Sequence, residues 1–481
     1  MRIASLAEVP AIAGGYADRS PAFDGDDLGE RAVDLLRQYL RIPTANDPAA
    51  LGIEARETRP WEAGHEAEAA GWIAAQLRAE GIEVELLEAA PGRVNVVARL
   101  TGKQPGAAIT LLSHSDVVPA PREGWSCDPF GGEISNGYLY GRGALDLKGL
   151  GIVHLLTLVT LKRLGVPLER DVVLLVVADE ETGGRFGADW LLAQRPELLA
   201  TGLVLGEGAY SVEDLLPNGR TAHAVAVGEK GYLELELLAA GDGGHAGIPP
   251  ADSASHRLVR ALDRILSINC PIRFTPLTRK LLSSLAPSSR GLHARLLRNP
   301  WLMSRLGPQL FAKNSLIKAM VQDTIVATVV QAGQKHNVVP THARAVLSVR
   351  LLPDTDPEQL SERIGQVAAD CGVDTRRLMH KSANLSSFDT WFYRAIESQL
   401  RRDDAHAVVT PILSPAASDC RFFRAHGIPS YGWIPFVIPA ADLRRVHGVD
   451  ERVSIAALQR GVRQFVHVVL AMATTPSGQQ P

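Results

Sequence analysis

The stretch ITLLSHSDVVPAPREGWSCDPFGGEISNGYLYGRGALDLKG, residues 109 to 149, constrains the chain most. It opens as an apolar strand, Ile109 to Leu112, and closes where a helix begins. Between them stand His114, Asp116 and Asp146, residue types suited to a hard-to-borderline metal ion. Strand side chains repeat every two residues, so Asp116 shares a face with His114 and can orient it as a ligand. The plain alternative is a strand that runs into a polar, solvated loop.

The surroundings favour an open, largely parallel α/β sheet. Val172 to Ala178, VVLLVVA, reads as a strand buried on both faces and feeds straight into Asp179-Glu180-Glu181. Strands are expected at Ile82–Leu87, Val94–Leu100, Gly137–Gly141 and Leu203–Leu205. Helices are expected at Asp27–Ile42, Glu66–Glu80, Lys148–Leu164 and Gly187–Gln194. In such sheets ligands sit beyond the carboxyl ends of the strands, where His114, Glu180, Glu181 and Glu207 all fall.

Near residue 229 the texture changes to alternating strands (Gly231–Ala240, Thr324–Val330, Ala343–Leu351) and two amphipathic helices (252–268 and 357–371). This predicts a small α+β, ferredoxin-like lid over 229–383, inserted into a catalytic domain made of 27–228 and 384–475. Residues 269–322, rich in Leu, Arg and Pro, read as an insertion with helical pieces. The catalytic texture returns with a helix at Thr390–Arg401, apolar runs at Ile412 and Tyr431–Ile438, and a helix at Ala456–Met472. Residues 1–26 read as a loose leader and 476–481 as a disordered tail.

Composition narrows the function. With 50 Lys+Arg against 53 Asp+Glu, the charges interspersed, nothing resembles a nucleic-acid footprint. Cys127, Cys270, Cys371 and Cys420 are scattered and set neither a disulfide framework nor a thiolate site, as in a cytoplasmic enzyme. Glu8 and Pro10 interrupt any secretory apolar core, and Leu150–Leu161 is too short to span a bilayer.

Nine motifs then occur in order: SHSDVVP, GRGALDLKG, ADEETGG, GEG, GGHAGIPP, HNVVP, VRLLP, SDCRF and HGVDE. Over roughly residues 30–475 the chain resembles the di-zinc exopeptidase and amidohydrolase family of aminoacylase, carboxypeptidase G and succinyl-diaminopimelate desuccinylase, nearest its carboxypeptidase S-like branch. The resemblance implies two Zn2+ ions, replaceable by Co2+ or Mn2+, bridged by Asp146. His114 and Glu207 would complete one site, Glu181 and His447 the other. Glu180 would be the general base and Asp116 the hydrogen-bond partner of the His114 imidazole. Adjacent glutamates on an extended backbone point apart, which would let Glu181 ligate while Glu180 reaches the water.

In the lid, His245 resembles the family's oxyanion-stabilising histidine, supplied by the neighbouring subunit in dimeric members. Asn337 and Arg350 resemble residues that grip a substrate carboxylate. Ser418, Asp419 and Arg421 resemble the family's Thr/Ser-Asp-x-Arg loop, which the resemblance places near the substrate pocket. His65, His154, His223, His256 and His336 take the structural reading, and Trp125 and Phe130 are expected to pack the loop. The expected activity is hydrolysis of an amide or peptide bond next to a free carboxylate. The alternatives are biosynthetic removal of a small acyl group and a non-catalytic zinc protein that binds acyl amino acids. A small-molecule or short-peptide substrate is expected, with no nucleic acid and no membrane span. A homodimer through the lid follows from the family, and the insertion could extend that contact, line an acyl channel or block it.

Overall fold

The computed structural model describes residues 25–46, 64–216, 219–288, 319–414 and 416–476, with six positions between 295 and 305. Those residues form two compact units. One runs to Val227 and resumes at Ser386–Pro411 and from Ser418 onward; the other is Gly228–Leu385 with Ile412–Ala417. Most of the leader and tail expected from the sequence lies outside the described residues, although Gly25 and Asp26 already belong to the first helix, Gly25–Leu40.

The first unit is built on a mixed sheet with a parallel centre. Strands Arg170–Val177, Gln104–His114, Thr201–Glu213 and Ser430–Pro439 lie side by side and parallel. Arg93–Leu100 joins antiparallel beside Arg170–Val177, and Val84–Ala90 pairs antiparallel with it. Every residue of Arg170–Val177 is buried, which is why its sequence carries no alternation.

Helix Lys148–Leu164 packs against Gln104–His114 and is buried at every position from Lys148 to Leu161. Lys162 and Arg163 sit at its C-terminus, where the helix dipole favours cations, and Gly165 ends it with φ 59°. Helices Gly25–Leu40 and Ile455–Thr474 pack against it in turn.

The smaller unit is a four-stranded antiparallel sheet in the order Thr324–Ala332, His342–Leu351, Gly231–Ala240, Val373–Lys381. Helices Ala254–Leu266 and Pro357–Ala369 cover one face, burying Leu233, Leu235, Leu237, Leu258, Ile265 and Ile364 together. Each helix starts on a side-chain cap: Ser253 accepts from His256 N, and Asp356 from Glu358 N and Gln359 N. Within the insertion, helix Pro276–Leu285 starts on a Thr275 cap, with Pro276 at its first position.

Of the strands longer than three residues, Ala222–Glu229 and Val373–Lys381 had no sequence reading. The first is buried almost throughout, and the second is an edge strand with most residues exposed. Neither pattern produces the alternation that marks a half-buried strand.

Candidate active site

Parallel strands end at one edge of the sheet, where His114 closes its strand and Glu180 and Glu181 form the turn after theirs; Glu207, expected beyond a strand end, lies instead inside strand Thr201–Glu213. His114 is the last residue of its strand and only 2% exposed. Its Nε2 lies 3.2 Å from Asp146 Oδ1 and 3.7 Å from Glu207 Oε1. The other Asp146 oxygen, Oδ2, is 3.0 Å from His447 Nε2, which in turn is 3.2 Å from Glu181 Oε1. One carboxylate therefore stands between two imidazoles. The structure resolves this into two groups that share Asp146: His114 with Asp146 and Glu207, and Asp146 with Glu181 and His447. Within each group the ligand atoms lie within 4.8 Å of one another.

Main-chain geometry sets these positions. Gly432, opposite Gly206 in the parallel pairing, admits the Glu207 backbone so closely that a Cβ there would fall 2.1 Å from Glu207 O. Asp179 and His447 hold left-handed φ values of 68° and 60°, a conformation that costs a non-glycine residue about 1–3 kcal/mol. At Asp179 the chain turns into a single 3-10 turn, Glu180–Thr182. The extended backbone expected for the Glu-Glu pair is thus replaced by a turn. The divergence holds for another reason: three residues per turn separate neighbouring side chains by about 120°. Glu181 faces His447, whereas Glu180 Oε1 lies 3.7 Å from Arg421 Nη1.

Asp116 contacts the His114 imidazole and also holds the glutamate turn. His114 Nδ1 lies 3.0 Å from the Asp116 main-chain oxygen, and the carboxylate is farther, at 3.5 Å. That carboxylate, fully buried, accepts from Glu180 N at 3.1 Å, Glu181 N at 3.0 Å and Asn46 Nδ2 at 2.6 Å. It fixes the turn that presents both glutamates. Behind it, Arg93 Nη1 donates to Asn46 Oδ1 and to Glu66 Oε1, extending a dry polar network.

A second buried network was not read from the sequence, though both its charges lie inside quoted motifs. Glu451 accepts from Asp146 N at 3.0 Å, Leu145 N at 2.8 Å and Gly143 N at 3.1 Å, and pairs with Arg142 at 2.6 Å. Arg142 Nη2 also donates to the carbonyls of His447, at 3.3 Å, and Gly448, at 3.0 Å. The pair thus ties the backbone of the shared carboxylate to the backbone of His447. Trp125, 5% exposed, lies beneath the Arg142 guanidinium at 5.3 Å, so it packs the loop.

Crowding sets the proton affinities. Burial and Glu207 raise the Glu180 carboxyl well above the usual range, and burial moves Glu207 up to about 7. Burial likewise raises Glu181. Hydrogen bonds to Asp146 and Glu181 hold His447 up at about 10. Burial opposes a charge on His114, but Glu207, Asp116 and Asp146 outweigh it and raise its pKa. Carboxylates packed this tightly out of water call for positive charge among them. Two imidazoles and three carboxylates with converging atoms are the donor set of a two-cation site, and the residues fit such ions.

Residues 110–471 match the description of Peptidase family M20/M25/M40. The chain belongs to this family. As an M20 protein it is a metal-dependent hydrolase. It is 31% identical to human N-fatty-acyl-amino acid synthase/hydrolase PM20D1 over 76% of this chain and 74% of that one. Human aminoacylase-1 is 28% identical over 94% of this chain and 98% of its own. The fold matches that of the M20 family metallo-carboxypeptidase Sso-CP2 from Sulfolobus solfataricus, with TM-score 0.69 and 19% identity over 92% of this chain and 99% of that one.

The remaining expected residues of this M20 chain belong to the smaller unit or to the Ser418–Arg421 loop. His245 is exposed on a short strand, Gly244–His245, paired with Val338–Val339, and its Nδ1 accepts from Gly247 N. Ala246 N donates to Asn337 O at 3.1 Å, so His245 and Asn337 are brought together; the Asn337 side-chain oxygen is buried without a hydrogen bond among the described residues. Arg350 stacks over the Tyr232 ring at 4.4 Å. Arg421 Nη2 donates to Gly183 O at 2.7 Å, bracing the glutamate turn. Asp419 is 3% exposed, with neither oxygen hydrogen-bonded among the described residues.

Proposed function

We propose that this M20 protein is a di-zinc hydrolase that cleaves the amide bond of an N-acyl amino acid or short peptide beside a free carboxylate. One observation carries the reading. Asp146 is shared by two ligand groups, and Glu180 stands next to them while belonging to neither. A pair of zinc ions so held would polarise the scissile carbonyl and make a water acidic enough to attack near neutral pH.

The chain's own residues do the rest. Glu180, its proton affinity raised by burial and by Glu207, accepts the water's proton and passes it to the leaving amine nitrogen. Asp116 holds the turn that aims it, and Arg421 flanks its carboxylate. On the family resemblance, His245 is assigned to the developing oxyanion, and Asn337 and Arg350 to the substrate carboxylate. The likeness to PM20D1 and aminoacylase-1 supports an acyl amino acid over a long peptide.

The test is a panel of short- and long-chain N-acyl amino acids and dipeptides. Wild type hydrolyses at least one class, and Glu180→Gln loses about 10²–10⁴ in turnover while keeping its metal. Full activity in that variant contradicts the reading.

A further inference from the structure

The insertion at 269–322 departs from the chain's mixed charge. Its 54 residues hold nine Lys or Arg and no Asp or Glu. At the chain's own frequency, 53 acidic residues in 481, a stretch of that length would carry about six. The remainder of the chain then has 50 − 9 = 41 basic against 53 acidic residues, an excess of twelve negative charges. The same segment contains eleven leucines. Cationic charge and apolar bulk are therefore concentrated in one stretch of sequence.

The described residues show how the two are sorted. Leu282 and Val321 are buried with Ile272, Phe274, Leu297, Leu302 and Met320 packed against them, a small core separate from that under the four-stranded sheet. Facing outward are Arg279, Lys280, Arg295 and Arg305, none with an ion pair among the described residues. Arg273 is the exception, paired with Asp354 outside the segment. Trp301 follows the outward side at 60% exposure, next in sequence to inward Leu302, with the Arg305 guanidinium 4.6 Å from its ring. Among the described residues it is the one exposed tryptophan.

A nucleic-acid surface would need the charge but not an outward indole beside a leucine-packed face. A bilayer surface uses both, because tryptophan settles at the headgroup level and Lys and Arg meet anionic lipid. No described helix is long and apolar enough to cross a membrane, so contact would be from one side. We infer that the exposed Arg279, Lys280, Arg295, Trp301 and Arg305 form a peripheral docking surface for an anionic phospholipid bilayer. The negative excess elsewhere repels such a surface and so orients the chain with this segment toward it.

Docking is measured on the full chain without substrate, so the result is independent of the hydrolytic reading. The protein is co-sedimented with phosphatidylcholine vesicles, with and without phosphatidylserine, at low and high salt. Partition onto the phosphatidylserine vesicles is expected to be at least about tenfold stronger, and to collapse as salt screens the contact. The variant Arg279→Glu, Lys280→Glu, Arg295→Glu, Arg305→Glu loses binding, and each charge neutralised singly to Gln weakens it about fivefold. Trp301→Ala weakens binding to both vesicle types alike. Circular dichroism confirms that each variant is folded; if the quadruple variant is not, the Gln variants decide. Equal binding to the two vesicle types, no binding at low salt, unchanged binding by folded variants, or binding to RNA but not to vesicles would overturn the inference.

Discussion

His114 and His154 are both buried histidines of the same unit, and they behave oppositely. His114 lies among carboxylates, and Glu207, Asp116 and Asp146 raise its pKa against the cost of burial. His154, inside helix Lys148–Leu164, has neither ring nitrogen hydrogen-bonded among the described residues, rests against Phe465 at 4.9 Å, and is pushed down to about 3 by burial alone. Burial is the same for both; the partners differ. A buried imidazole becomes a candidate ligand only where the chain has already spent carboxylates around it, and His154 is a neutral packing residue whose polar atoms are a cost.

Three changes would break or sharpen that contrast. The largest effect is expected on the side with partners. Glu451→Ala strands the buried Arg142 and frees three main-chain donors, including Asp146 N, so the fold should lose about 3–5 kcal/mol in urea unfolding. A loss below about 1 kcal/mol would show that the Arg142–Glu451 pair is not a structural tie. Next, Asp116→Asn keeps the shape but replaces one acceptor oxygen facing the glutamate turn with a donor. Metal affinity should fall about 10–100-fold, read by chelator competition, and an unchanged affinity would remove Asp116 from the account.

The smallest effect lies at the bare histidine. His154 has a folded pKa near 3 against an unfolded value near 6.5. The unfolded chain therefore binds the extra proton between those values, and stability falls as pH drops below about 6.5. His154→Leu abolishes this, so its advantage over wild type should grow by about 2 kcal/mol between pH 7 and pH 5. A pH-independent difference would mean that His154 finds a partner after all.

The contrast also marks what the sequence could show. Strand Gln104–His114 was legible because an apolar run ends abruptly in His-x-Asp. The helix carrying His154 was legible from its continuous apolar face, and so was the plain reading of that histidine. Glu451 was not, although it lies four residues after His447: no spacing rule says that its carboxylate reaches back 305 residues to Asp146 N. The Glu66–Arg93–Asn46 chain left no signal either, since each member looks like an ordinary surface residue until the fold removes its water. The Glu180–Glu181 turn was misread as extended because the left-handed Asp179 before it is not a glycine.

The central claim is that one carboxylate, Asp146, joins two ligand groups into a single two-metal site. Metal content per folded chain tests it most directly, measured by elemental analysis on wild type, His447→Ala and Asp146→Asn. Two ions are expected in wild type, one in His447→Ala, and loss of both in Asp146→Asn. One ion in wild type, or two retained in folded Asp146→Asn, would contradict it.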